Sequence, residues 1–366
     1  MSHVTSDLDF RIFGHVGGSY SLAAVNRDLA LALAAMRPGR VRLQSAPGGS
    51  WREWLRLPPG QRRALWSLRL PRRRRGVEVT ISQHYPLYVP ERRGDVCLAL
   101  FFWEESRIPP ATIAQLNAGF DAVLAPTRFV AAALERSGLE VPVHVVGLAP
   151  DLEPFLCLER TPPTQVTRFL HVSSGFPRKG VDVLLRAYAA AFRQGDPVEL
   201  VIKTFPNPHN HTANQLASLR ALVPDLAPVR LIEADLPRAA LLELYRHASA
   251  MVLPARGEGF NLPAAEAMAA GVPVIVSAMG GHADFCTEQT ARLIGCRLAL
   301  SRSHLAGDAS LWAEPDLGQL VQAMREMVGH GPEIAARVAQ ARNVAAQMSA
   351  ARLVARIEAV VRIVLS

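Results

Sequence analysis

The stretch GEGFNLPAAEAMAAGVPVIVS, residues 257–277, sets the reading of the chain. PAAEAMAA has helical spacing and propensity, and Pro263 suits a first helical position, where its missing N–H costs nothing. Asn261 or Leu262 then flanks the helix start, and Gly271 closes the helix. VPVIVS follows as a short apolar strand. A helix running into a strand with apolar residues on both faces is a fragment of a parallel sheet covered by helices. Glu258 and Glu266 lie eight positions apart, and on one continuous helix they would share a face. The residue before a proline is pushed out of the α region, so that geometry is excluded. Glu258 therefore belongs to a loop, and Glu266 to the first helical turn. Gly257 and Gly259 let the backbone turn tightly and approach a ligand, and the free amides of the helix start favour an anion. Two readings stand for each carboxylate. Glu266 either accepts hydrogen bonds from a diol such as ribose or complements the helix dipole. Glu258 either holds a second polyol or is a solvated loop residue.

Outward from this stretch, strand and helix alternate. FRIFG (10–14) leads into the helical SLAAVNRDLALALAAM (21–36). VEVTIS (77–82), VCLALFF (96–102), FDAVLAPT and VPVHVVG (141–147) are strands, and RFVAAALERSG is a helix ended by Gly138. After the polar, proline-bearing LERTPPTQ (158–165), the best boundary candidate, the alternation restarts with RFLHVSS, KGVDVLLRAYAAAF and VELVIKT. Further strands VRLIEA and AMVLPA enclose the helix RAALLELYRHA, and the tail is helical. Two such runs predict two doubly wound α/β domains, with ligand at strand carboxyl ends.

With 366 residues, of which 49% are hydrophobic, the chain has enough to bury for two cores. No apolar run approaches the ~18–20 residues of a membrane span. The first residues lack the basic-then-apolar pattern of a secretory signal, and Cys97, Cys157, Cys286 and Cys296 are dispersed. A cytoplasmic location is expected, with reduced thiols and neither a disulfide framework nor a zinc site. The net charge of +8 invites an anionic partner. Of the 40 basic residues only Lys179 and Lys203 are lysines. Both fall where a strand ends: Lys179 in the turn of HVSSGFPRKGVDVLL (171–185), beside Arg178, and Lys203 at the close of VELVIKT. A compact, flexible charge there suits a phosphate. FGHVGGSYS (13–21) carries Gly17 and Gly18 between a strand and a helix capped by Ser19 or Ser21. It is either a phosphate-approaching loop or a plain tight turn. HNH at 209–211 has no third ligand in view and reads as loop structure rather than a metal pair. His282 follows Gly280-Gly281 and is either a donor contact or an ordinary histidine.

The segment ARGEGFNLPAAEAMAAGVPVIVS resembles the E-x7-E signature of retaining glycosyltransferases of family 4. RKGVDVLLRAY resembles the family's phosphate-binding segment. FDAVLAPTRFV, VHVVGLAPD and the Gly-Gly loop follow the family's order. FFWEESRIPP and SAMGGHADFC are similar to segments of bacterial mannosyl- and rhamnosyltransferases of surface-polysaccharide assembly.

The resemblance implies an α/β fold of the GT-B type, two Rossmann-like doubly wound domains facing each other across a crevice. Residues 1–152 would bind the acceptor and 153–344 the nucleotide sugar, with a helix at about 345–366 crossing back onto the first. It implies transfer of a hexose, mannose or a deoxyhexose by best match, from a nucleotide-diphosphate sugar such as GDP-mannose to a saccharide acceptor. No metal and no other cofactor is implied. Glu266 would bind the ribose. Glu258, with Gly259, Phe260, Asn261 and Leu262, would hold the sugar and diphosphate. Lys179 would neutralise the diphosphate, and Gly17-Gly18 would approach it from the other domain. The family's arginine five or six residues before that lysine is replaced by Ser174 and Ser173, so Arg178 or Lys203 would supply the charge. Where relatives often carry a histidine near the reacting carbon, this chain has Trp103-Glu104-Glu105. Glu104 is the candidate for a sugar or acceptor contact, with His84 in reserve.

SWREWLRLPPGQRRALWSLRLPRRRRGVE (50–78) holds nine arginines, two glutamates and three of the five tryptophans. Interleaved Trp, Leu and Arg suits an anionic membrane surface, here through residues 51–75. That would bring a lipid-linked acceptor of polysaccharide or O-antigen assembly within reach at the inner face of the cell membrane. An arginine-covered structural segment and a nucleic-acid surface remain as alternatives, though nucleic acid is not expected as a partner. Two rival functions stand beside the transferase: a nucleotide-sugar epimerase on the same fold and a basic nucleic-acid-binding protein. Inactive relatives that act as regulatory partners exist in the family as well.

Overall fold

The computed structural model describes residues 8–18, 20–46, 51–55, 57–70, 73–89, 94–161, 165–303, 309–329 and 331–366. Their contacts divide them into two compact units. The first takes the described residues of Met1–Trp103, Arg107–Asp151 and Gln347–Ser366, and the second Glu104–Ser106 and Leu152–Ala346. The chain thus leaves the first unit at Asp151, ahead of the 158–165 stretch, of which 162–164 lie outside the described residues.

In the first unit, strands β1 (Leu8–Gly14), β2 (Val41–Ser45), β3 (Val77–Gln83), β4 (Val96–Leu100), β5 (Ala122–Ala125) and β6 (Val143–Val145) form one sheet. The order is β2-β1-β3-β4-β5-β6, and every pairing is parallel. The central strand β4 is buried at all five positions, which its unbroken apolar sequence requires. At the edge, β2 alternates buried and exposed residues, with Arg42 outward. Helices α1 (Ser21–Met36), α2 (Trp51–Leu55), α3 (Pro59–Ser67), α4 (Pro110–Gly119) and α5 (Arg128–Arg136) belong to this unit. Tyr20 is the N-cap residue of α1 and contributes no side-chain hydrogen bond, in place of the serine cap expected; Ser19 is outside the described residues. Pro58 caps α3 and Pro59 opens it, so the described residues of the arginine-rich segment include two short helices rather than one long one.

In the second unit, β7 (Thr167–Val172), β8 (Val198–Thr204), β9 (Val229–Glu233), β10 (Ala250–Leu253), β11 (Val274–Ser277) and β12 (Arg292–Ile294) form a parallel sheet in the order β12-β11-β10-β7-β8-β9. A hairpin of β13 (Cys296–Leu300) and β14 (Leu311–Pro315) stands apart from it. The helices are α6 (Glu153–Leu156), α7 (Val181–Ala191), α8 (Thr212–Leu222), α9 (Arg238–His247), α10 (Leu262–Ala269), α11 (Leu317–Val328) and α12 (Pro332–Ala346). Phe169, Leu200 and Ile202 on one sheet face pack with Leu184 and Tyr188 of α7 and with Leu320 and Met324 of α11.

The last helix, α13 (Ala350–Leu365), belongs to the first unit and packs on α1. Arg37 donates to Glu358 at 2.6 Å, and Arg356 donates to the Val146 carbonyl at 3.1 Å.

Each sheet reverses its direction of growth once. In the second unit the chain lays β8 and β9 on one side of β7, then crosses to the other side for β10 to β12. In the first, β2 lies on one side of β1 and β3 on the other. At such a switch point the connections leaving adjacent strands part, and the crevice at their carboxyl ends is where doubly wound sheets bind ligands.

Candidate functional site

At the switch point of the second sheet, β7 and β10 lie side by side. Beyond β7, Gly175 at φ 72° turns the chain into a single 3-10 turn, Pro177–Lys179. Gly180 at φ 69° then starts α7. A Cβ on Gly180 would stand 1.9 Å from the Pro254 carbonyl oxygen, so the turn lies directly against the loop that leaves β10. That loop ends at Asn261, which adopts φ 80° and accepts a hydrogen bond from the Ala264 amide at 3.4 Å. Asparagine tolerates this left-handed conformation and is a strong N-cap. Helix α10 accordingly begins at Leu262 and Pro263 is its second residue. This start, one residue earlier than expected, carries Glu266 past the first turn, which contains no acidic residue. Glu266 is therefore not a first-turn partner of the helix dipole.

Lys179 and Glu258, 79 positions apart, meet between the two loops: Nζ lies 2.7 Å from Oε1 and 2.8 Å from Oε2. Glu258 is 6% exposed, which overturns its reading as a solvated loop residue. Arg178 adds a second cation, donating to the Gly257 carbonyl at 3.1 Å and lying 3.5 Å from Glu258 and 3.0 Å from Glu104. Burial alone would raise the Glu258 carboxyl; Lys179 and then Arg178 outweigh it and hold the carboxyl below the ordinary range. Burial, followed by Arg178, pushes the Lys179 ammonium down, with Glu258 opposing.

Two buried histidines flank this pair. His171, near the end of β7, sits 2.7 Å from the Val252 carbonyl through Nδ1 and 2.8 Å from Ser173 Oγ through Nε2. Burial brings it down to about 4. His282 is fully buried, with Nε2 2.6 Å from the Ser277 carbonyl and Nδ1 without a hydrogen-bond partner among the described residues. The Gly281 amide donates to the Glu258 carbonyl at 2.7 Å, and a Cβ on Gly281 would meet the Gly259 carbonyl oxygen at 2.1 Å. The loops after β10 and β11 are thus in backbone contact, and the Phe260 and Phe285 rings pack at a tilt with centroids 5.0 Å apart.

Glu266 accepts a hydrogen bond from the Tyr245 hydroxyl at 2.6 Å. Lys203, next to last in β8, is half-buried; burial lowers its ammonium, against the attraction of Asp235 and Glu266. Ser174 occupies the position where an arginine was expected. Its carbonyl accepts from Asn207 at 2.7 Å, and its buried hydroxyl has no partner among the described residues. In the 209–211 loop, His209 packs edge-on against Phe176 and Asn210 bonds to Thr204 and Glu233, which is loop structure.

Glu104 belongs to the second unit through the short strap Glu104–Ser106. Beside it, Glu105 is buried and accepts from Ser301 Oγ at 2.6 Å and from Ser303 Oγ. Ser106 and Leu311 exchange hydrogen bonds of 3.0 and 2.8 Å, so the strap is fastened to the hairpin.

Gly17, Gly18 and His84 gather at the switch point of the first sheet. Arg27 secures the loop by donating to the carbonyls of Val16 and Gly18 at 2.9 and 2.8 Å. A Cβ on Gly17 would stand 2.7 Å from Glu53 Oε2, so within its own unit the loop faces a carboxylate. The His84 ring lies 4.5 Å from that of His15. Sequence reasoning passed over His171, Tyr245 and Arg256, each of which has a partner remote in sequence: Val252, Glu266 and Asp182. The one available signal was Arg256 standing two residues before Glu258.

These two parallel sheets, each with a switch point, define a doubly wound class of α/β protein. Residues 127–357 match the model of the family described as family 4 glycosyltransferases in conflict systems, and the chain belongs to that family. Over 110 residues it is 37% identical to a D-inositol 3-phosphate glycosyltransferase of Thermomonospora curvata, covering 29% of this chain and 25% of that one. Over 138 residues it is 34% identical to an MMP alpha-(1->4)-mannosyltransferase of Mycolicibacterium hassiacum, covering 38% and 32%. The chain spans between about a quarter and about half of the length of the curated relatives it matches. A solved sucrose-phosphate synthase of Thermosynechococcus elongatus superposes with a TM-score of 0.69 at 15% identity, over 98% of this chain and 99% of that one. The fold is that of the GT-B glycosyltransferases.

Proposed function

We propose that the protein is a retaining glycosyltransferase that moves a hexose from a nucleotide-diphosphate sugar to a saccharide acceptor. The observation that carries this reading is the pairing of Lys179 with Glu258 beside Arg178, at the start of α10. In the reaction the bond from the sugar C1 to the diphosphate oxygen breaks. A bond from C1 to the acceptor oxygen forms on the same face, and the acceptor proton leaves with the diphosphate. The departing group gains negative charge, and Lys179, Arg178 and the amides of Gly259 to Leu262 are the groups that would stabilise it. Glu258 would hold the sugar, and Glu266 would take the ribose hydroxyls. Neither this donor set nor this chemistry calls for a metal.

Mannose or a deoxyhexose, with GDP as the carrier, is the favoured donor; a mannosyltransferase among the relatives supports the sugar. The favoured acceptor is lipid-linked, in polysaccharide or O-antigen assembly. With it goes a peripheral place on an anionic membrane, supported by Leu55, Trp66 and Leu70, which are each more than half exposed beside Arg69. Among the described residues no helix is long and apolar enough to cross a membrane.

The test is titration of UDP and GDP by calorimetry against the protein and its Lys179→Ala variant. One of the two should bind, and the variant should lose at least roughly tenfold in affinity, the worth of a hydrogen bond to a charged group. Circular dichroism should be unchanged. Equal affinity in the variant removes Lys179 from the site. An epimerase would instead convert a labelled nucleotide sugar with no acceptor present, and a nucleic-acid-binding protein would hold duplex DNA with a steep salt dependence.

A further inference from the structure

Arg256 is 7% exposed and stands two residues before Glu258. Its guanidinium has five N–H donors, and each is used. Nε and one Nη2 hydrogen go to Glu314 at 2.7 and 2.8 Å. Nη1 and the other Nη2 hydrogen go to Asp182 at 2.6 and 2.7 Å, and the remaining Nη1 hydrogen goes to the Pro177 carbonyl at 2.8 Å. The guanidinium also lies 5.0 Å from the Trp312 ring. The backbone repeats the pattern: the Arg256 amide donates to the Arg178 carbonyl at 2.7 Å, and its carbonyl accepts from Ala313 at 2.9 Å. Three elements therefore meet on one side chain: the turn bearing Arg178 and Lys179, the first turn of α7 through Asp182, and strand β14.

We infer that Arg256 is a positioning residue, which fixes the Pro177–Lys179 turn so that Lys179 and Arg178 are aimed at the anion site before any ligand arrives. The inference rests on the donor-site reading given above. Two carboxylates bound edge-on in one plane require a planar fork, and a lysine with three donors on a flexible stem cannot reproduce it. Because the same backbone continues into Glu258, the fork also sets the register between the two loops that bring Lys179 and Glu258 together.

The test compares Arg256→Lys with Leu184→Ala, a side-chain truncation in the hydrophobic core of the same unit. Hydrogen exchange at the amides of Lys179, Gly180 and Val181 is followed in the free proteins, and UDP and GDP affinities are measured by calorimetry. Arg256→Lys should speed exchange in this turn and weaken the nucleotide that binds by roughly tenfold, the loss of one well-aimed charged hydrogen bond. Leu184→Ala should lower the unfolding temperature and leave the affinity unchanged. If Arg256→Lys lowers the unfolding temperature while exchange and affinity stay as in wild type, Arg256 is structural only and the inference fails. Should Arg256→Lys not fold, Asp182→Asn and Glu314→Gln each remove half of the fork and should give smaller shifts of the same kind. A wild-type protein that binds neither nucleotide overturns the donor reading alone, since the exchange measurement still decides the positioning role.

Discussion

His171 is the residue whose chemistry responds most directly to solution conditions. Buried between Val252 and Ser173, with Lys179 and Glu258 acting on it electrostatically, it stays neutral down to about 4, whereas an unfolded histidine takes up a proton near its ordinary 6.5. Above 6.5 both states are neutral and nothing is lost. As pH falls from 6.5 towards 4 the unfolded chain gains a proton that the folded chain refuses, so stability drops, by an amount on the order of 3 kcal/mol. The fully buried His282 acts in the same direction. Glu258 acts later, its contribution being lost only as pH falls below the ordinary carboxylate range. Denaturant midpoints measured from pH 7 to pH 4.5 should fall steadily, and less steeply in His171→Asn. An identical slope in that variant would show that His171 is not the titrating group. At this scale the sequence was partly legible. Lys179 stood out by rarity and Glu258 by its glycines, and the structure joins the two. The buried partners were not legible, because His171 in LHVSS reads as one polar residue in a strand and its partner Val252 lies 81 positions away.

Among the elements, the 3-10 turn and the start of α7 depend on a single backbone conformation. Gly180 lies at φ 69°, and a side chain there would collide with a backbone oxygen, which has no flexible end to move aside. Gly180→Ala should therefore cost more than about 2 kcal/mol, combining left-handed strain with displacement of the Pro254 loop. Gly195→Ala is the matched control. Its φ is 99° but nothing stands within 4 Å, so only strain is paid, roughly 1–2 kcal/mol. Equal denaturant midpoints for the two variants would contradict the contact with Pro254. Regular elements with strong periodicity were legible: the helix expected over 21–36 is Ser21–Met36. Edge strand β2 was missed because its alternate residues face outward and include Arg42. The β13–β14 hairpin was missed because exposed Leu298 and Leu300 blur the alternation that marks a strand.

For the molecule as a whole, alternation of strand and helix was enough to foretell two parallel sheets, since crossovers that cover both faces leave few other arrangements. It could not foretell that Glu104–Ser106 would associate with the second unit, because hydrogen bonds to Ser301, Ser303 and Leu311 decide that. The arginine-rich segment divides in role. Trp54 is 9% exposed and belongs to the core, while Arg69 lies between it and the outward Trp66, at 5.2 and 5.1 Å. Exposed apolar groups among arginines on a chain of net charge +8 should hold vesicles containing phosphatidylglycerol and release them in high salt. Sedimentation should show binding to these and not to phosphatidylcholine alone, with loss on Trp66→Ala combined with Leu70→Ala. Equal sedimentation with both lipids, or none with either, removes the membrane from the proposed function.

The two cations of the site are already matched by two anions, Lys179 by Glu258 and Arg178 by Glu104. On the proposed reading such a site behaves like an ion-exchange resin loaded with its own counter-ion. An incoming diphosphate gains only the margin by which it outcompetes a tethered carboxylate. Chloride or a lone monovalent acid, with no second point of attachment, has almost no margin at all. Discrimination then resides in the exchange itself, and the empty protein spares its cations from whatever small anions the surroundings contain.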